Sequence, residues 1–196
     1  MKQGKIEQSV LVSILLAIVI GGVILVAVVF PVAGTGGGLS DRLCHFNMAL
    51  GAALPTGIKF IAGTGLCQEI EVGTIDAAEY SKCPKSYNKD ATKCGAYQLA
   101  VLADRCLYRG GGRGADLGPV NLEWGICFKS ITVKNLGFLQ ISENEIKTVI
   151  KENEFSHKIK SDDIKLDFKE EISKDKNFNI YFVNVPLSNN YVLIKE

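Results

Sequence analysis

Charge is absent from one long stretch of this chain. No Asp, Glu, Lys or Arg occurs between Glu7 and Asp41, and Val10–Val32 (VLVSILLAIVIGGVILVAVVFPV) is apolar almost throughout. Nor is there a surplus of basic residues. The chain has 22 Lys+Arg against 21 Asp+Glu, and setting aside Lys2, Lys5 and Glu7 leaves 20 of each. Nucleic-acid binding needs excess cations to displace phosphate counterions, so nucleic acid is not an expected partner. Histidine is scarce, at His45 and His157 only, which narrows the choice of a general base. No C-x-x-C pair occurs, which argues against both a structural zinc site and a thiol-exchange centre. No metal and no cofactor is expected.

What is present sets an order along the chain. A length of 196 residues suits one domain with an appendage. The apolar stretch, taken as a transmembrane helix over 9–32, reaches about 34 Å at 1.5 Å per residue, enough for a hydrocarbon core of about 30 Å. Lys2 and Lys5 before it, and the uncharged PVAGTGGGLS after it, hold the N-terminus (1–8) in the cytoplasm. Residues 33–39 form a Gly-rich linker, and 40–196 form an extracytoplasmic domain in a cell membrane's outer space. Ser13, Ala17 and Gly21 recur every fourth residue, a small-residue stripe suited to self-association in the bilayer. A second processing route is open. Met1-Lys2-Gln3-Gly4 before an apolar helix resembles a type IV pilin leader cut after Gly4, although Ser9 stands where such pilins carry Glu.

Cys44, Cys67, Cys83, Cys94, Cys106 and Cys127 all lie in the first part of the outer domain (40–135), and the remainder (136–196) has none. Six cysteines beyond a membrane segment read as three disulfides. A helix over Gly95–Tyr108 separates Cys94 from Cys106 by about 18 Å, too far for a bridge. Cys83 and Cys94 bracket the turn-rich CPKSYNKDATKC, and theirs is the preferred local pair, with Cys106–Cys127 next.

The elements alternate. Ser40 offers an N-cap for a helix ending before Pro55, and LCQEIEVGTI (Leu66–Ile75) reads as a strand with Glu69 and Glu71 on its wet face. LEWGICFKSITV is a strand or hairpin. Ser142–Glu145 (SENE) is a capping box opening an amphipathic helix, and IKLDF, NIYFVNV and YVLI read as strands of a mixed sheet. The fold class is α+β: an N-terminal transmembrane helix, then a disulfide-stapled mixed helix/sheet ectodomain.

Among local motifs, RGGGRG stands out as a candidate anion-binding loop through Arg109, Gly110, Gly111, Gly112 and Arg113, although it lacks the Gly-Lys-Ser/Thr ending of a phosphate loop. With Asp104 or Asp116 those arginines give one enzymatic reading. His157 lies in a charged stretch and reads as exposed. The segments Leu102–Gly112 and Gly125–Val133 resemble a group of small single-span membrane proteins with a Cys-bearing outer domain from small-genome archaea. In that group a helix ends at a Cys, an aromatic residue and a Gly-rich turn, and a strand with another Cys follows. The resemblance implies topology and no activity. The leading expectation is therefore a signal-anchored, single-pass protein presenting an interaction or structural domain to envelope partners. A pilin-like filament subunit and an envelope enzyme are the alternatives.

Overall fold

The computed structural model describes residues 38–53, 67, 69–115, 122–136, 140–167, 172, 176–185 and 188–195. Among these, no helix is long and apolar enough to cross a membrane. The expected span over 9–32, the stripe Ser13, Ala17 and Gly21, the cut at Gly4 and the acid Asp116 lie outside the described residues.

The described chain is α+β. Three helices, α1 (Leu39–Ala53), α2 (Ala91–Arg109) and α3 (Glu143–Glu152), accompany five strands. The strands are β1 (Ile70–Asp76), β2 (Leu122–Lys134), β3 (Ile164–Leu166), β4 (Phe178–Asn184) and β5 (Tyr191–Lys195), in the order β1-β2-β4-β5-β3. The two outer pairings are parallel and the two inner ones antiparallel. Parallel neighbours need a long crossover, and α2 supplies it between β1 and β2. Strand β2 is too long to pair evenly with β4, and its register shifts along the way. At Ser130 the backbone turns to φ 55°, and its N–H is taken by Asn179 Oδ1 at 3.1 Å.

Helix α2 is the central element. Asp90 caps its start by accepting the Lys93 N–H at 3.0 Å. Leu99, Ala100, Ala103 and Leu107 from α2 share one core with Phe128, Ile131 and Val133 of β2, Phe178, Ile180 and Phe182 of β4, and Val192 and Ile194 of β5. The alternation of these sheet residues with Lys129, Tyr181, Tyr191 and Leu193 is the period-two pattern of a sheet covered on one face. The capping box at Ser142 forms as expected, with the Glu145 N–H on Ser142 Oγ and the Ser142 N–H on the Glu145 carboxylate. It starts α3, whose Ile146, Val149 and Ile150 join the same core.

All six cysteines pair: Cys83–Cys94 and Cys106–Cys127, the two expected local bridges, and Cys44–Cys67. Two of the three start on α2. They tie its first turn to the preceding loop and its last turns to β2.

The end of α2 is closed by glycines. Gly110 N–H returns to Cys106 O at 3.0 Å and Gly112 N–H to Leu107 O at 2.9 Å. Gly111 and Gly112 hold φ of 90° and 88°, which L side chains rarely adopt. At Gly110 the constraint is contact rather than conformation: a Cβ there would sit 2.2 Å from the Phe182 ring. Gly110→Ala is expected to destabilise the fold by about 1–3 kcal/mol through overpacking. Gly114→Ala, in open space, should change stability by less than about 0.5 kcal/mol. Urea unfolding of the two variants checks the contrast.

Candidate functional site

Both histidines of the chain arrive at one place. His45 comes from α1 and His157 from the loop after α3, and they stack on opposite faces of Tyr108, near the end of α2. Each imidazole centroid lies 4.0 Å from the Tyr108 centroid, with interplanar angles of 12° and 13°. His157 is therefore half-buried, not exposed as its charged sequence surroundings suggest. His45 Nδ1 lies 2.6 Å from the Tyr108 carbonyl oxygen. A carbonyl only accepts, so Nδ1 carries the proton and the other ring nitrogen, Nε2, is left outward of that bond.

Two buried carboxylates build this arrangement. Asp41 on α1 is 2% exposed and is held from both sides. Arg109 Nη1 donates to its Oδ1 at 2.6 Å, and Arg105 Nε and Nη2 donate to its Oδ2 at 2.9 and 2.8 Å. Both guanidiniums lie over the Phe128 ring, at 5.2 Å for Arg105 and 5.8 Å for Arg109. This cluster locks α1 onto α2, and His45 sits one turn further along α1. Asp104 on α2, 3% exposed, receives the backbone N–H groups of His157 at 3.0 Å and Ile159 at 3.1 Å. It thereby draws the loop against the helix one turn before Tyr108.

The glycine turn completes the rim. Arg113 Nε donates to Asp163 Oδ2 at 2.6 Å, a second guanidinium nitrogen reaches the same oxygen, and that nitrogen also donates to Lys158 O at 3.2 Å. Asn190 fastens the turn from the sheet side, donating to Gly112 O at 3.0 Å and to Ala115 O at 2.8 Å. His45, Tyr108, Gly112, Arg113, His157 and Lys158 border an open depression of about 370 Å³.

The residues singled out in the sequence are divided by this geometry. Arg109 is buried on Asp41, whereas Arg113 reaches the rim and pairs with Asp163. The N–H groups of Gly110, Gly111 and Gly112 are spent on carbonyls of α2, so an anion at that backbone would compete with them. Asp104 is engaged by the loop rather than by either arginine. Glu69 lies 3.3 Å from Lys129 on the exposed side of the sheet. Among the described residues no cluster of three His, Cys, Asp or Glu could hold a metal ion. The sequence signal that could have found the site is thin: two histidines, each an odd polar residue beside a hydrophobic helix or loop, and a Tyr at the edge of a glycine turn.

Burial pushes the Asp104 carboxyl up, against the two N–H donors that pull it down. Burial holds the His157 imidazole below its usual range; the Asp104 carboxylate opposes this, His45 adds to it, Asp41 acts upward and Arg105 downward. No family model, curated protein or solved structure matches this chain.

Asp41→Asn removes the buried carboxylate that Arg105 and Arg109 share and is expected to cost about 3–5 kcal/mol in chemical denaturation. The His157 shift has a definite sign. A histidine whose folded value lies below its unfolded one, near about 6.5, adds stability above that value and loses it as pH falls through the folded value. Melting temperature should therefore drop on acidification below the ordinary histidine range. His157→Phe, which keeps a ring on Tyr108, should flatten that part of the profile. An unchanged acid slope in His157→Phe would show that the loss arises elsewhere.

Proposed function

We propose that this chain is a single-pass, signal-anchored membrane protein whose disulfide-stapled α+β domain lies outside the cytoplasm and acts as an interaction or structural module of the cell envelope. The observation that carries this reading is the pairing of all six cysteines, with no free cysteine remaining among them. Stable disulfides belong to oxidising compartments, because cytosolic thiol systems keep cysteines reduced. The apolar sequence Val10–Val32, with Lys2 and Lys5 before it, supports an anchor with a cytoplasmic N-terminus. The partners that fit are the lipid bilayer, an envelope protein contacted by the outer domain, and a second copy through Ser13, Ala17 and Gly21.

Disulfides that hold α2 at both ends also suit a domain that must stay folded where chaperones and reductants are scarce. The architecture is a rigid platform: a sheet covered on one side by a helix that is covalently tied at its two ends.

Intact mass measurement of the protein from native membranes, before and after reduction, tests the proposal. The expected result is a full-length, non-alkylatable chain that gains six hydrogens on reduction, one pair for each of the three bridges. Thiols that react before reduction would overturn it. Loss of Met1–Gly4 would transfer the reading to a filament subunit, and loss of the whole apolar segment would make the domain a secreted one.

A further inference from the structure

We propose that the depression bordered by His45, Tyr108, Arg113, His157 and Lys158 binds a phosphate group. The first ground is the chemistry of its lining. Its polar side chains are two imidazoles, a phenol, a guanidinium and an ammonium, and none is a carboxylate. Among the described residues, the nearby carboxylates are engaged behind the surface: Asp41 by Arg105 and Arg109, Asp104 by two backbone N–H groups, and Asp163 by Arg113 and the Lys160 N–H. What remains at the mouth is hydrogen-bond donors and positive charge, the complement of an oxyanion.

The second ground is unused capacity. Tyr108 O accepts the Nδ1–H of His45, whereas Nε2 of His45, both ring nitrogens of His157 and the Lys158 ammonium make no hydrogen bond or ion pair among the described residues, although the Asp104 carboxylate acts on His157 from a distance. The two histidines are half-buried, and polar groups so placed are more commonly tied to one another or to the backbone, whereas the Lys158 ammonium stands exposed beside them. The third ground is the backbone at Lys158. It holds φ 60°, uncommon for a residue other than glycine, and its carbonyl is clamped by Arg113. Unfavourable backbone held in place beside a depression is a recurring mark of a ligand site.

The stack makes the site sensitive to pH. At neutral pH Lys158 and Arg113 supply the charge, and Arg113 shares its own with Asp163. On acidification the His157 imidazole gains an N–H donor and charge at the mouth. The charged groups facing that ring are Asp41, Arg105 and Asp104 from α1 and α2, with Arg113 and Lys158 at the rim. Burial resists the charging of His157, and a bound phosphate offsets that resistance. By linkage, a phosphate of fixed charge therefore raises the titration midpoint of His157, and protonation of His157 tightens it. The proposal is independent of how the chain is anchored.

Because the chain has only two histidines, their ring nitrogens give two separate pairs of NMR signals, one pair for each imidazole. The test uses the full-length, oxidised, ¹⁵N-labelled chain in a zwitterionic detergent, titrated with inorganic phosphate at constant ionic strength. The expected result is that both imidazole signals move along one saturable curve; with a phosphodiester probe, whose single charge is constant over the range, that curve is about fivefold tighter near about pH 6 than near about pH 8. Lys158→Ala should weaken the curve several-fold while leaving the melting temperature unchanged, since Lys158 is exposed. Shifts that chloride reproduces, movement of one histidine alone, or an unchanged curve in Lys158→Ala would each overturn the proposal. Two soluble esters then separate the sources of the phosphate. Tighter binding of glycerophosphoglycerol, a phosphodiester, assigns the site to an anionic lipid headgroup, and tighter binding of glycerol phosphate, a monoester, assigns it to a free solute.

Discussion

A carboxylate that is 2% exposed needs strong donors for its lone pairs, and Asp41 has two guanidiniums, on Arg105 and Arg109. The desolvation cost of such a group is several kcal/mol unless its lone pairs are met by good donors. That requirement is met by placing α1 against α2 with the acid in the first turn of one helix opposite the last turns of the other. Everything at the depression follows from it. His45 lies one turn beyond Asp41, so it reaches the carbonyl and the ring of Tyr108 only in this docking. The Phe128 ring beneath both guanidiniums carries the constraint into the sheet.

The same logic operates on the opposite side with a different donor. Asp104 is buried and engages backbone N–H groups of His157 and Ile159 rather than another side chain. The loop after α3 is thereby set on α2 from below, and His157 meets the second face of Tyr108. A third aspartate, Asp163, fastens the turn through Arg113. Three acids thus orient three segments around one tyrosine. The disulfides hold α2 itself, the element on which they converge, and Cys44–Cys67 secures α1 beside His45.

Much of the fold was legible in the sequence because its signals are local. The helix at Gly95–Tyr108 appears as Ala91–Arg109, the capping box at Ser142 forms with the expected residues, and the alternation in NIYFVNV becomes β4. The Cys83–Cys94 bridge was readable because a turn-rich segment closes a short loop. The anion-binding expectation for RGGGRG fared differently. Glycine content alone does not say whether backbone N–H groups face a ligand or close a helix, and here they close α2. The exposure expected of His157 was read from its charged neighbours, but burial depends on which surface the loop lies against.

By itself the sequence determined the α+β class, the presence of α2 and α3 and the balance of charge, and it favoured Cys83–Cys94 and then Cys106–Cys127 among the pairings, because each depends on neighbours in the chain. The tertiary structure alone decided the strand order, the burial of Arg109 on Asp41 and the meeting of two distant histidines over Tyr108. Periodicity and capping act over one or two turns, whereas these features depend on the need of buried charges and donors for partners from anywhere in the fold. A sequence states how many such groups exist. Only packing states which of them can reach each other.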